Sequence, residues 1–551
     1  MNDYGVVAGT ILNMLKSVIL VLGDADQRAQ LLSSPRDSPL ELFRWLEDGD
    51  ACTHLGVPIG NDIDDRVEEH WQARERLFIR RLSRWFRIPQ TFRTRVMVMK
   101  TMAMSVLWYS LCYMECPPEL LKRLQTACDR FVWRITPLGG ASSRQPLCAQ
   151  RNIAMPMECG GLGAWSIQSM IDAFRIKWYI RMMADSCPFG SRHQARWAIL
   201  AKFVIIHRAT PHSDLSLSQP DSQQSSLLSW SSTRPQRVRL AQTKALLTGS
   251  LLFPQASLLL LPPVWRRALK VWKAQATELM AMVPQSFSQS DVISSLTLLR
   301  QRPVSTLRLD LLSPNDRSLM QTVFSSPKWP AVSMTKQLWC HLWRADGVLP
   351  AARDISWMAL RNVLRTAKQL RKMQVIPNGA CSMCSPAAAA PLPHFVAIPP
   401  TFELDTPIHV LCECPHATRE FWADVTGVVR AITRSPNWTP PHYWAILGQP
   451  VGVSQAEFTV NLLRSSALVI FWREYKATRL STSANFPLGR PVVASDILAK
   501  WKVFARDLLS LHWFSLPANQ RPSFMYVCDP LFVSVPDGIL CHDFVFSFLL
   551  T

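Results

Sequence analysis

Four residues in this chain have the types and the spacing to hold a metal ion. Cys381 and Cys384 form a Cys-x2-Cys pair, and His409 and Cys414 follow as His-x4-Cys. Thiolate sulfur and imidazole nitrogen are soft or borderline ligands, and a tetrahedral zinc ion is the usual way to join two such half-sites. Cys412 is an alternative ligand in the second half. Asn378 and Gly379 supply a tight turn before the first pair, and Phe421 and Trp422 give the second pair an aromatic element to pack on. Residues 385–406, rich in alanine and proline, read as a loop insertion between the halves.

The elements around these ligands read as helices. Residues 357–373 lead towards Cys381 with Arg361, Arg365, Lys368 and Lys372 in one stripe, and Leu360, Val363, Ala367 and Leu370 turned away from it. The spacing predicts helix again from Trp422 to about Arg430, over 462–480 and over 495–513.

A second chemistry is written in charge. The 551 residues carry a formal net charge of +20, with a pI near 9.7. Such a surface attracts polyanions at long range, nucleic acid first and an anionic membrane second. The charge concentrates on a predicted helix that begins near Arg66. Trp71, Phe78, Leu82 and Trp85 share one face, Arg76, Arg80, Arg84 and Arg87 share the opposite one, and Pro89 marks the end. A second helix is expected over 92–113, with Arg93, Arg95 and Lys100 near its start. Pro117-Pro118 opens a third that runs through Trp133. Gly160, Gly161, Leu162 and Gly163 make a corner before a helix over 167–183, and with no Lys-Ser/Thr pair after it the corner reads as a packing turn rather than a phosphate cradle.

Before Arg66 the chain reads as the edge of an α/β layer. Val18–Leu22 and the run from His54 to Gly60 are β-prone, and the segment 40–47 between them is helix-prone. Residues 211–235, rich in Ser and Gln, read as a linker. The apolar region 246–265 is broken by Pro254, Pro262 and Pro263, so no continuous membrane span is expected. Fourteen cysteines without framework spacing, and no secretory leader at Met1, predict an intracellular protein, nuclear or cytoplasmic, with free or metal-bound thiols.

Taken in order, these motifs resemble a known family. Ala8, Gly9 and Thr10, followed by Asn13, Lys16 and Ser17, are similar to the SG-x-x-x-N-x-x-KS stretch that follows the catalytic hairpin in reverse transcriptases of non-LTR retrotransposons. His54-Leu55-Gly56-Val57-Pro58-Ile59-Gly60 resembles that family's primer-grip strand, and the run at 160–163 resembles its GGLG corner after the thumb helices. The cysteine and histidine set is similar to its reverse-transcriptase zinc-binding domain, where two Cys are followed by His and then by Cys shortly before a Trp, here Trp422. That pattern favours Cys414 over Cys412.

The resemblance implies a mostly α chain. Its parts would be a small α/β palm remnant at 1–65, a thumb-like helical bundle at 66–185, a linker and mixed helical region of unknown role at 186–335, a zinc-knuckle unit at 336–430 and a helical region at 431–551. It also implies RNA and DNA as partners, with Lys16, Arg76, Arg80, Arg84, Arg87, Lys100, Arg361, Arg365, Lys368 and Lys372 facing nucleic acid, and a structural zinc on Cys381, Cys384, His409 and Cys414. The family polymerises with an aromatic-x-Asp-Asp hairpin that holds two metal ions, and no such hairpin is in the sequence. Asp64-Asp65 is expected to be a solvated helix start. The reading is therefore a nucleic-acid-binding, catalytically incomplete fragment. Alternatives are part of an active polymerase with its catalytic residues upstream, and a helical interaction protein without a nucleic-acid role.

Overall fold

Helices dominate the computed structural model of this chain, as the hydrophobic spacing predicts. It describes residues 17–21, 25–33, 43–54, 56–134, 148, 150–185, 265–272, 336–372, 381, 406–414, 417–441, 443–448, 454–480 and 493–529. Two units emerge: one of Met1–Ile88, Met97–Arg144 and Trp165–Asn315, the other of Pro89–Val96, Gln145–Ala164 and Asp316–Thr551.

The first unit opens with two small sheets. Strand Val18–Leu20 pairs in parallel with Arg44–Leu46, and helix Ala25–Ser33 lies between them in the chain, because parallel neighbours need a crossover. Residues 44–46 fall in the segment expected to be helical. Their pairing with Val18–Leu20 overrides the local propensity, and it buries Leu46. Strands Cys52–His54 and Val57–Ile59 form an antiparallel hairpin, with Gly56 taking the left-handed conformation the tight turn demands (φ 83°).

Helix Asp64–Phe86 follows. Asp64 and Asp65 occupy its first turn, exposed and favourable to the helix dipole, as expected. Trp71, Phe78 and Leu82 are buried on one side, and Trp71 donates its indole N–H to the Glu115 carbonyl at 3.0 Å. The expected 92–113 helix is present in three pieces: Phe92–Val98, a π-helical turn Met99–Ala103, and Ser105–Tyr113. Helix Pro118–Val132 buries Leu120, Leu124, Ala127 and Phe131. It packs on Ile167–Asp185, whose first N–H is capped by Gln125 Oε1 at 2.9 Å.

The spine of the second unit is the helix Ser454–Leu480. Against it pack Pro350–Leu360, Ala417–Thr433, Ala494–Ser515 and Arg521–Cys528. Phe421, Phe471 and Trp501 meet at its centre, with ring centroids 5.4 Å (Phe421 to Phe471) and 6.2 Å (Phe421 to Trp501) apart. A polar side of the same helix is also buried and holds turns in place. Asn461 donates to the Asp346 carbonyl (3.1 Å), Ser465 accepts from the Leu349 N–H (3.0 Å), and Arg464, 1% exposed, donates to the Ala445 carbonyl (2.9 Å).

Two expectations change here. A boundary at residue 430 falls inside helix Ala417–Thr433, so the region after 430 supplies the scaffold on which the ligand segment rests. The helix expected over 357–373 ends instead at Leu360. Asn362 takes a left-handed conformation (φ 55°), and its N–H bonds to the Ala359 carbonyl while the Val363 N–H bonds to that of Met358. This is a Schellman ending, and a short helix, Ala367–Lys372, starts again after it. The basic stripe over 361–372 is consequently not one helix face.

Candidate functional site

Three of the four expected metal ligands come together. The side-chain ligand atoms of Cys381, His409 and Cys414 all lie within 4.8 Å of one another. Their residues are 1%, 5% and 0% exposed. Cys384 lies outside the described residues.

The geometry of the second half-site comes from a π-helical turn, His409–Glu413. Here the Cys414 N–H reaches back five residues to the His409 carbonyl at 2.7 Å, which holds the two ligand residues side by side. The Thr406 hydroxyl accepts the His409 N–H at 3.1 Å and fixes the start of the turn. A wide turn leaves carbonyls unmatched, and the next helix satisfies them. Thr418 donates to the Val410 carbonyl at 2.7 Å, and the Trp422 indole donates to that of Leu411 at 2.8 Å. The tryptophan eight residues after Cys414 thus has a physical duty: it buttresses the turn that carries the ligands.

Cys412, the alternative ligand, is not a member of the cluster among the described residues. Burial and the neighbouring Glu413 push its thiol well above the ordinary range. The donor set itself fits a soft or borderline divalent ion: two sulfurs and one imidazole, no carboxylate, all shielded from water. A tetrahedral ion with such ligands sets neighbouring donor atoms about 3.5–3.8 Å apart, a spacing that falls inside the 4.8 Å that encloses the three atoms here. The group Cys381, His409 and Cys414 could hold a metal ion.

In the first unit the expected arginines are displayed as the sequence implies. Arg76, Arg80, Arg84 and Arg87 are all exposed on helix Asp64–Phe86 and its C-terminal residue. With Glu75, Ile79 and Ser83 they line an open groove of about 690 Å³. Other arginines of this helix are engaged: Arg66 pairs with Glu69, Arg74 donates to the Gly56 carbonyl, and Arg81 donates to that of Met102. The one acid in the groove, Glu75, is occupied by both nitrogens of a fork from Arg123 at 2.9 Å. Arg76, Arg80, Arg84 and Arg87 have no hydrogen-bond or ion-pair partner among the described residues.

The other basic candidates separate. Lys100, half-buried on its π-turn, sets its ammonium 4.5 Å from the centre of the Trp165 ring, so its charge is directed at an aromatic face. Arg361 is a structural residue of the second unit. It donates from Nε to the Gly160 carbonyl at 2.8 Å, beside the Trp357 indole, which donates to the same oxygen at 2.9 Å. Burial pulls its pKa down to about 10. Arg365 and Lys368 are exposed. The side chain of Lys372, and Lys16 altogether, lie outside the described residues.

The glycine corner explains why Arg361 is taken. Gly160 sits at φ 78°, and a Cβ there would meet the Trp339 ring at 2.6 Å and Arg361 Nη2 at 2.8 Å. At Gly161 a Cβ would lie 2.0 Å from the Met155 carbonyl oxygen. The corner is a packing turn, clasped by Trp339, Trp357 and Arg361. Sequence alone could place the glycines but not their partners, about 200 residues away in the chain.

No protein-family model matches the chain, and comparison with curated proteins finds no match either.

Proposed function

We propose that this chain is a nucleic-acid-binding fragment related to the reverse transcriptases of non-LTR retrotransposons, with a structural zinc in its second unit. The observation that carries the binding role is the row of four exposed arginines without partners along one groove. Desolvating and ordering arginine is worthwhile where phosphates accept its donors, and guanidinium suits a sugar-phosphate backbone better than any other side chain. The groove would take backbone by charge and leave bases unread. Zinc would tie Cys381 and Cys384 to the π-turn ligands His409 and Cys414, a staple without catalytic duty. Such thiol ligands suit a reducing compartment, nuclear or cytoplasmic.

A titration of labelled DNA duplex tests the groove. Replacing Arg76, Arg80, Arg84 and Arg87 together by Gln should remove most of the affinity, while Arg66→Gln and Lys122→Gln, which lose residues already paired with Glu69 and Glu119, should change it little. Equal losses from both sets would mean diffuse attraction and no groove.

A further inference from the structure

Beside the arginine groove lies a second, smaller recess of about 490 Å³. It is lined by Arg81, Arg84, Trp85, Ile88 and Met102. Arg84 lines both cavities, so the recess adjoins the groove. The walls differ in kind from the groove. Ile88 is 48% exposed and Met102 43%, two large apolar side chains that line the recess together with guanidinium groups.

The recess is also held in shape. Arg81 Nη1 donates to the Met102 carbonyl at 2.7 Å, which fixes the π-turn Met99–Ala103 against helix Asp64–Phe86. A cavity of this size falls within the usual range for small-molecule sites, about 300–1,000 Å³. A lining of an indole and two apolar side chains with two arginines, adjoining the arginine groove through Arg84, matches one kind of occupant: a planar heterocycle attached to a phosphate chain. Aromatic and guanidinium faces accept any base by stacking, without reading its identity.

We propose that the recess formed by Trp85, Ile88, Met102, Arg81 and Arg84 receives an unpaired nucleobase of a strand whose phosphates lie in the adjoining arginine groove. This inference rests on the nucleic-acid-binding reading and adds a preference to it: the ligand has a single-stranded end. A base inside an intact duplex is stacked on its neighbours and does not enter.

The experiment compares the full zinc-loaded chain on a blunt DNA duplex and on the same duplex with a short single-stranded extension. The expected result is about tenfold tighter binding of the extended duplex, the size of one base-stacking contact. The Ile88→Ala, Met102→Ala double variant alters two exposed side chains and should keep its melting temperature. It should bind both duplexes with the affinity the wild type has for the blunt one. Equal affinity of the wild type for both duplexes would overturn the recess while leaving the groove intact, as would a preference that survives in the double variant. Absence of salt-dependent binding to either duplex would instead remove the groove, and the recess with it.

Discussion

Asp354 gives the second unit a pH dependence opposite to that of a salt-bridged carboxylate. It lies on helix Pro350–Leu360, and Oδ2 accepts the Phe92 N–H at 2.9 Å, the first residue of helix Phe92–Val98. Its other oxygen, Oδ1, is buried with no partner. Burial therefore raises its pKa to about 7, against the pull of the Phe92 N–H and of Arg95. In the unfolded chain an aspartate ionises near pH 3.9. The folded state thus holds a proton that the unfolded state has lost, and the favourable contribution, complete below about pH 4, is lost as pH rises to about 7. The difference of about three pKa units corresponds to about 4 kcal/mol in full, and partial solvent access reduces it to about 2–4 kcal/mol. Asp354→Asn keeps an acceptor for Phe92 and cannot ionise. Chemical denaturation at pH 5 and at pH 8 should show its advantage over wild type growing by about 2–3 kcal/mol between the two. A metal ion on Cys381, His409 and Cys414 would also bind with pH-dependent affinity, but equally in both proteins, so the difference isolates Asp354. A constant or shrinking advantage would refute the reasoning.

Three further outcomes follow from the geometry. Trp422→Phe removes the donor to the Leu411 carbonyl and should lower stability by about 1–2 kcal/mol in a denaturant titration, together with retention of metal against a chelator. Gly160→Ala combines a left-handed backbone with a Cβ 2.6 Å from the Trp339 ring, and should cost about 3 kcal/mol or more by thermal unfolding. Purified protein should carry about one zinc per chain by elemental analysis, and Cys381→Ser should lose both the metal and cooperative unfolding of the second unit; a metal-free chain that melts unchanged would remove the staple.

What the sequence revealed was whatever repeats locally. The buried face of helix Asp64–Phe86 and its opposed arginines follow from spacing alone, and the two long C-terminal helices were likewise predictable. Cys381, His409 and Cys414 were legible because metal chemistry restricts ligand types so strongly. The π-turn that joins the last two was not, since five-residue hydrogen bonding has no composition of its own. Long-range partnerships were hidden for a related reason. Arg361 sits at helical spacing among other basic residues, and nothing local says that Gly160 claims it. Asp354 looks like any surface carboxylate until Phe92 is placed beside it. Residues 44–46 show the same effect in the backbone: their strand exists because Val18–Leu20 pairs with it.

The salt dependence of duplex binding tests the central claim most directly. Each phosphate neutralised by an arginine adds about 0.9 to the slope of log affinity against log salt, so four groove arginines imply a slope of at least about three in magnitude. Replacing Arg80 and Arg84 together by Gln should flatten it by roughly two contacts while the fold stays intact. Affinity that ignores salt, or a slope untouched by losing both arginines, would contradict the account.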